Sequence, residues 1–377
     1  MLKIALFTDA DVFAGTERHM LELARGLKAQ SAAVSLACPA VSVLSERAAP
    51  EQIPTIPVEK KGAVDFSAVR QLAALFSEEK LDVLHAHNGR TALLAALAVE
   101  RAKRGCVIAT QHFIHPTRAL RKGPMGALSR IVHHWVAGRT AHFVAISEAV
   151  RDAMIERGED AKKITVVPNG ISEPDRSKLK SPAEIRRQFG VAEGVPLIVC
   201  CARLEAEKDV GTLVRAMEQV RAAQPNAVCI IAGEGSLAED LAAQVRTANL
   251  EKTVILAGFL QDSLSLIHAA DLFVLPSLAE PFGLVLLEAM SLGKAVVATR
   301  AGGPLEIVED ERTGLLVPPG NPVAMSAGLL RFCIDPSLAA TMGARGRTRF
   351  LERFTTEKMA RATLAVYERA CAASAAD

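Results

Sequence analysis

Aromatic residues are scarce: they make up 4% of the 377 residues, with a single Trp and a single Tyr. Stacking platforms for single-stranded nucleic acid or for sugar faces are therefore few, and a lectin-like binder is disfavoured. Long apolar runs are missing as well. The longest, Ala92 to Val99 and (counting Pro196) Val195 to Ala202, have eight residues each, far short of the roughly 18 needed to cross a bilayer. The first residues stop being apolar at Asp9, too early for a signal-peptide core, and the expected location is the cytoplasm. The seven cysteines are odd in number and include no Cys-x-x-Cys pair. They read as small core residues in a reducing compartment rather than a disulfide frame or a zinc site. Neither charge sign dominates, with 44 Lys and Arg against 42 Asp and Glu, so no nucleic acid or strongly acidic partner is implied.

What remains is a globular composition, half hydrophobic and 23% charged, long enough for about two or three domains. Short β-branched runs alternate with stretches of helical period. Strands are expected at Lys3 to Thr8, Ala33 to Cys38, Leu81 to Ala86, Cys106 to Thr110, His142 to Ile146 and Ile164 to Val167. A helix from Thr16 puts Met20, Leu23, Ala24 and Leu27 on one face. Residues 171–182 carry two prolines and several charges and read as a linker. The alternation restarts at Leu197 to Cys201, Ala227 to Ala232, Val254 to Ala257, Leu272 to Leu275 and Ala295 to Ala298. Such alternation builds parallel sheets covered by helices. The expected division is an N-terminal domain 1–170, the linker 171–182, a C-terminal domain 183–355, and a final helical segment 356–377. Residues 1–172 hold 22 Lys and Arg against 17 Asp and Glu, and residues 173–377 hold 22 against 25, as two separate surfaces would.

The most informative segment runs from Glu280 to Glu288, directly after a strand. Pro281 suits a first helical turn, so a helix is expected near Phe282. Its opening amides, around Gly283 and Leu284, lack intrahelical acceptors and form an anion site. Glu288, one turn beyond Leu284, leans back toward a ligand held there. A phosphate and a ribose diol suit these groups; the alternative makes Glu280 a loop carboxylate and Glu288 a surface partner of Lys294. Arg203 and Lys208 follow the first strand of the second domain, where ligands of open α/β sheets bind, and together they can neutralise a diphosphate. Pairing with Glu205 and Glu207 is the competing explanation. Gly15, between the first strand and first helix, would let backbone approach a phosphate, with Thr16 as a cap.

Two features point elsewhere. Gly233-Glu234-Gly235-Ser236-Leu237-Ala238 matches a dinucleotide fingerprint, but the next strand, Val254 to Gly258, ends without the expected ribose-binding acid. Asp9-Ala10-Asp11 resembles a metal-binding pair, yet no acid or histidine cluster has metal-ligand spacing in the sequence, and no essential metal is expected. Eight of nine histidines precede residue 143. Those at strand ends, His85, His87 and His112, could reach a substrate, although most histidines are ordinary surface or satisfied core groups.

Together these residues resemble the retaining glycosyltransferases of family 4. The resemblance spans Gly15-Thr16-Glu17, Val83-Leu84-His85-Ala86-His87-Asn88, Val166-Val167-Pro168-Asn169-Gly170, Ala202-Arg203 with Lys208, Ala232-Gly233-Glu234-Gly235, and Glu280 through Glu288 (the Glu-x7-Glu signature) followed by Ala301-Gly302-Gly303. It implies the α/β GT-B fold: two facing Rossmann-like domains with parallel sheets, an interdomain cleft, and a last helix packed back on the N-terminal domain. It also implies transfer of a sugar, with retention, from a nucleotide diphosphate sugar (a UDP-sugar first among them) to a hydroxyl of a glycan or lipid-linked saccharide. By the same resemblance, Arg203 and Lys208 hold the diphosphate, Glu288 the ribose and Glu280 a sugar hydroxyl. Gly15, Gly233, Phe282, Gly283 and Leu284 line the donor, and His112 lies beside the donor sugar. No cofactor is implied, the nucleotide sugar being a substrate. Two positions depart from the family pattern: Ala14-Gly15 stands where many relatives have Gly-Gly, and Arg300 precedes the Ala-Gly-Gly segment.

Residues 113–147 contain no acid but hold Arg118, Arg121, Lys122, Arg130 and Arg139 among Leu120, Met125, Leu128, Ile131, Val132, Trp135 and Val136. That pattern fits a peripheral contact with an anionic membrane, or equally a buried helix with a solvated basic rim. Two other classes stand against the transferase: an NAD(P)-dependent oxidoreductase, resting on Gly233-x-Gly235, and a non-catalytic sugar-nucleotide-binding protein. An epimerase or phosphorylase on the same fold fits Glu280 to Glu288 less well.

Overall fold

The computed structural model describes residues 2–58, 65–78, 81–114 and 124–374. The chain divides into two compact units: Met1–Ser172 with Thr355–Asp377, and Glu173–Phe354. Each is built on a parallel sheet. In the first unit the strands are β1 (Lys3–Phe7), β2 (Ala33–Cys38), β3 (Thr55–Pro57), β4 (Val83–Ala86), β5 (Cys106–Gln111), β6 (His142–Ala145) and β7 (Ile164–Val166). They lie in the order β3-β2-β1-β4-β5-β6-β7. In the second unit, β8 (Leu197–Cys201), β9 (Val228–Ala232), β10 (Val254–Gly258), β11 (Leu272–Leu275), β12 (Ala295–Thr299) and β13 (Leu315–Val317) take the order β10-β9-β8-β11-β12-β13.

In both sheets, parallel throughout, the order of adding strands reverses once, between β1 and β4 and between β8 and β11. At such a switch point the loops leaving neighbouring strands run to opposite faces and open a crevice at the carboxyl ends, where ligands of open α/β sheets bind. Parallel strands are covered on both faces, which is why β8, Leu-Ile-Val-Cys-Cys, is a continuous apolar run buried at every position. Helices supply the covers. The first helix (Gly15–Ala29) buries Met20, Leu23, Ala24 and Leu27, and the last helix (Thr356–Ser374) adds Met359, Ala360, Val366 and Tyr367 to the same core.

The expected strands are present, each within two residues of its predicted ends, and two more occur, β3 and β13, both three-residue strands at sheet edges. Residues 171–182 are fixed to their own units rather than hanging free. Ile171 bridges to Thr355, and the Ser172 amide and hydroxyl donate to Glu22 Oε2 at 2.9 and 2.7 Å. Beyond the boundary, the Lys180 amide donates to Ser265 Oγ at 2.9 Å, and Ser181 caps the helix Pro182–Gln188 by accepting from the Glu184 amide. All seven cysteines are free, and only Cys371 is more than slightly exposed. Among the described residues, no single helix is long and apolar enough to cross a membrane.

Candidate active site

The second unit's switch point brings together the loops after β8 and β11. Lys208 ends a 3-10 turn, Ala206–Lys208, in the β8 loop; Glu280 lies in the β11 loop. The Lys208 ammonium donates to Glu280 Oε2 at 2.6 Å, with the two side chains only 16% and 8% exposed. Ser277 Oγ donates to the same oxygen at 3.1 Å. Backbone bonds hold the loops in place: the Leu278 amide reaches the Glu207 carbonyl at 2.9 Å, and the Gly303 amide reaches the Glu280 carbonyl at 2.8 Å. Glu280 and Gly302 form a bridge, so the Ala-Gly-Gly segment splints the glutamate loop.

The helix after this loop begins at Leu284, two residues later than the sequence pattern suggests. Gly283 takes φ +110°, a left-handed turn that costs glycine little. Pro281 therefore stays in the loop, and Phe282 is buried, its ring edge-on to Phe354. The first amides of Leu284–Ser291 still open the helix at the positive end of its dipole. Glu288 is 1% exposed, which removes the reading of it as a surface residue. Arg203 is the outward member of the group, 66% exposed and paired with Glu207 at 2.6 Å. The competing explanation, pairing of the two cations with Glu205 and Glu207, thus holds for Arg203 and fails for Lys208; Glu205 accepts from the Ser236 amide and hydroxyl at 3.0 and 2.6 Å.

In the first unit, the switch point between β1 and β4 collects histidines. His19 lies on the first helix, and His87 and His112 directly follow β4 and β5. His112 packs edge-on against His19, ring centres 4.8 Å apart, and its Nε2 lies 3.2 Å from His87 Nδ1. Burial, with the neighbouring imidazoles His19 and His85, pushes His112 well below the usual histidine range, so its ring is neutral at physiological pH. His85 is a satisfied core residue: its nitrogens meet Tyr367 Oη and Thr110 Oγ1, each at 2.6 Å.

Residues 182–349 match the family described as "Glycosyl transferases group 1", and residues 13–173 match "Glycosyltransferase Family 4". The glycogen synthase of Mycobacterium tuberculosis is 33% identical over 294 residues, covering 76% of this chain and 68% of that protein. This chain belongs to the family 4-type glycosyltransferases. The N-acetyl-alpha-D-glucosaminyl L-malate synthase of Bacillus anthracis is 26% identical to this glycosyltransferase over 296 residues, covering 78% of this chain and 76% of the relative. Among solved structures, Anabaena HepE in complex with UDP superposes with a TM-score of 0.84 at 23% identity, over 98% of this chain and 100% of that one. The fold is GT-B, two parallel-sheet α/β units.

Within this glycosyltransferase several sequence signals acquire a different cause. Gly233 has φ +147°, and a Cβ there would lie 1.8 Å from the Ala202 carbonyl oxygen. Gly235 is equally confined by Leu204, whose amide and carbonyl bond Glu234 and Leu237. The fingerprint glycines therefore let the β9 loop close on the β8 loop. The Ser236 and Leu237 amides, which a dinucleotide pyrophosphate would need, are bonded to Glu205 and Leu204. That geometry removes the basis for an oxidoreductase. Thr16 does not cap the first helix, which starts at Gly15; Glu17 caps it by accepting from the Ala14 amide at 3.1 Å and from Thr8 Oγ1. Asp9 is paired with Arg90 and accepts from Asn88 Nδ2 at 3.0 Å, so the first acid of the Asp-x-Asp pair has a structural explanation.

Sequence spacing hid the gathering of His19, His87 and His112. It also hid Asn169, whose Oδ1 lies 2.8 Å from His19 Nδ1, and Ser277 beside Glu280. One signal was available: His19 is a polar residue beside the apolar stripe of an amphipathic helix, and it is fully enclosed. Of the basic segment 113–147, residues 115–123 lie outside the described residues, and with them His115, Arg118, Leu120, Arg121 and Lys122. On the helix Pro124–Arg139, Ile131 is exposed, while Arg139 stacks over Trp135 at 4.0 Å and pairs with Glu100 at 2.7 Å.

Proposed function

We propose that the protein transfers a sugar from a nucleotide diphosphate sugar, a UDP-sugar first, to a hydroxyl acceptor with retention of anomeric configuration. The observation that carries this reading is the enclosed Lys208–Glu280 pair beside the opening of the helix Leu284–Ser291, at the second unit's switch point. As the bond between the anomeric carbon and the leaving oxygen breaks, its electron pair and negative charge pass to the diphosphate. Lys208 and the first helical amides, near Gly283 and Leu284, would meet that charge from positions already held by the fold, with the exposed Arg203 closing on it from outside, so little reorganisation would be needed during the step. These groups supply the positive charge from the chain itself, and the transfer is proposed to need no metal and no cofactor. Glu288 takes the ribose hydroxyls. Glu280, oriented by Lys208 and Ser277, takes a hydroxyl of the transferred sugar. The acceptor hydroxyl attacks the anomeric carbon on the face the diphosphate leaves, and its proton goes to a diphosphate oxygen. The solved HepE complexes with UDP and UDP-glucose support a uridine donor.

The acceptor class proposed is a glycan or a lipid-linked saccharide, supported by the names of two relatives, a glycogen synthase and a diphosphoundecaprenol galactosyltransferase, while a third relative is named for L-malate. Exposed Ile131 and Val132 beside Arg130 support a peripheral contact at the inner face of an anionic membrane; protein that stays in the supernatant of anionic vesicles at low salt would reject that part. The activity itself is tested by incubating the protein with UDP-, GDP- and ADP-sugars and following release of nucleoside diphosphate. One donor should be cleaved, and NMR of the product made with a suitable acceptor should show the donor's anomeric configuration. An inverted product would refute retention, and a complete lack of cleavage and transfer would refute the enzyme.

A further inference from the structure

The histidine cluster of the first unit has a chemistry of its own. One ring nitrogen from each of His19, His87 and His112 lies within 4.8 Å of the others, and all three residues are buried. The His87 Nδ1 to His112 Nε2 separation of 3.2 Å is already close to the roughly 3.3 Å between two nitrogen ligands of a tetrahedral ion with bonds of about 2.0–2.1 Å. His19 is oriented from behind: Asn169 Oδ1, an acceptor, sits 2.8 Å from Nδ1. That places the proton on Nδ1 and leaves Nε2 as the nitrogen His19 can offer, the arrangement second-sphere oxygens impose on metal-bound imidazoles. Among the described residues, His19 Nε2, the nitrogen left to the cluster, is buried without a hydrogen-bond partner, and an enclosed polar atom in that condition calls for an explanation.

We propose that His19, His87 and His112 hold one divalent ion of the zinc class through three imidazole nitrogens, leaving a coordination position open. The donor set is nitrogen only, which suits Zn²⁺, Co²⁺ or Ni²⁺ and not the oxygen-seeking Mg²⁺ or Ca²⁺. Occupancy has a functional consequence that rests on the transferase reading. It would tie up His112, a strand-end histidine able to reach a substrate, and slow transfer. The ion would be a brake and not a requirement.

The test is titration of chelator-stripped full-length protein with Co²⁺ and with Zn²⁺. One Co²⁺ per chain should bind, giving visible d–d bands of a low-coordinate nitrogen site without thiolate charge transfer. Zinc affinity should fall about 10-fold or more in His87→Ala and about 10-fold in Asn169→Ala, and be unchanged in His134→Ala. Binding that survives His87→Ala, or no stoichiometric cobalt spectrum, overturns the site. Should His87→Ala fail to fold, X-ray absorption of zinc-loaded wild-type protein decides: imidazole nitrogens support the site, and a sulfur ligand overturns it. Loss of the transferase reading would leave these spectra unchanged, whereas an intact spectrum with zinc-insensitive turnover would remove only the brake.

Discussion

The Lys208 ammonium sits 2.6 Å from Glu280 Oε2 although the residues are 72 positions apart in the chain. They meet because β8 and β11 are neighbours in a parallel sheet, so the loops at their carboxyl ends are neighbours too. The pair places a fixed positive charge and an oriented carboxylate where the fold itself opens a crevice.

Separating the partners should therefore harm both folding and chemistry. Lys208→Ala leaves an enclosed carboxylate unpaired, for which we expect a loss of about 3 kcal/mol in urea unfolding and a fall in kcat of about 100-fold or more. The double variant Lys208→Met with Glu280→Leu should recover most of the stability and none of the turnover. Recovery of turnover would show that the pair is only structural.

Arg203 should behave differently. Its partner Glu207 is one turn away on an exposed surface, so Arg203→Ala should change stability by less than about 0.5 kcal/mol. It should nevertheless raise KM for the donor. A silent Arg203→Ala would take the residue out of the diphosphate site.

Two glycines should also separate. A Cβ at Gly15 meets nothing within 4 Å, so Gly15→Ala should fold with wild-type stability. At Gly233 the added carbon would strike the Ala202 carbonyl in a left-handed backbone, and Gly233→Ala should lose several kcal/mol in thermal or urea unfolding. A stable Gly233→Ala would contradict the packing account of that motif.

Lys294 gives a pH-dependent prediction. Burial, with Arg176 and Arg186 nearby and Asp271 opposing them, lowers it from 10.5 to about 8. The unfolded chain binds the proton more tightly, so the penalty is complete below pH 8 and fades as pH rises toward 10.5. Lys294→Met should stabilise the fold by about 2–3 kcal/mol at pH 7, with a smaller gain at pH 10. An equal gain at both pH values would reject charge burial as the cause.

Strands buried on both faces were legible because they must be apolar throughout, as in Leu197 to Cys201. The missed strands β3 and β13 are three-residue edges, and Thr55-Ile56-Pro57 even carries a proline, which an edge tolerates. Glu280, Glu288 and Lys208 could be found from residue type and position after strands. Their pairing could not, nor could the meeting of His19, His87 and His112, because sheet order, not sequence distance, decides which strand ends are neighbours. The helix start was misplaced by two residues because Pro281 and Gly283 both mark helix beginnings, and the left-handed Gly283 prevailed.

The central claim is that Lys208 and the amides opening the helix Leu284–Ser291 hold a nucleoside diphosphate. Calorimetric titration of wild-type and Lys208→Met protein with UDP, GDP and ADP tests it directly. One nucleotide should bind the wild type, and its affinity should fall at least about 10-fold in the folded variant, as loss of a charge-assisted contact requires. Equal affinity in both proteins, or no binding of any of the three, would contradict the account.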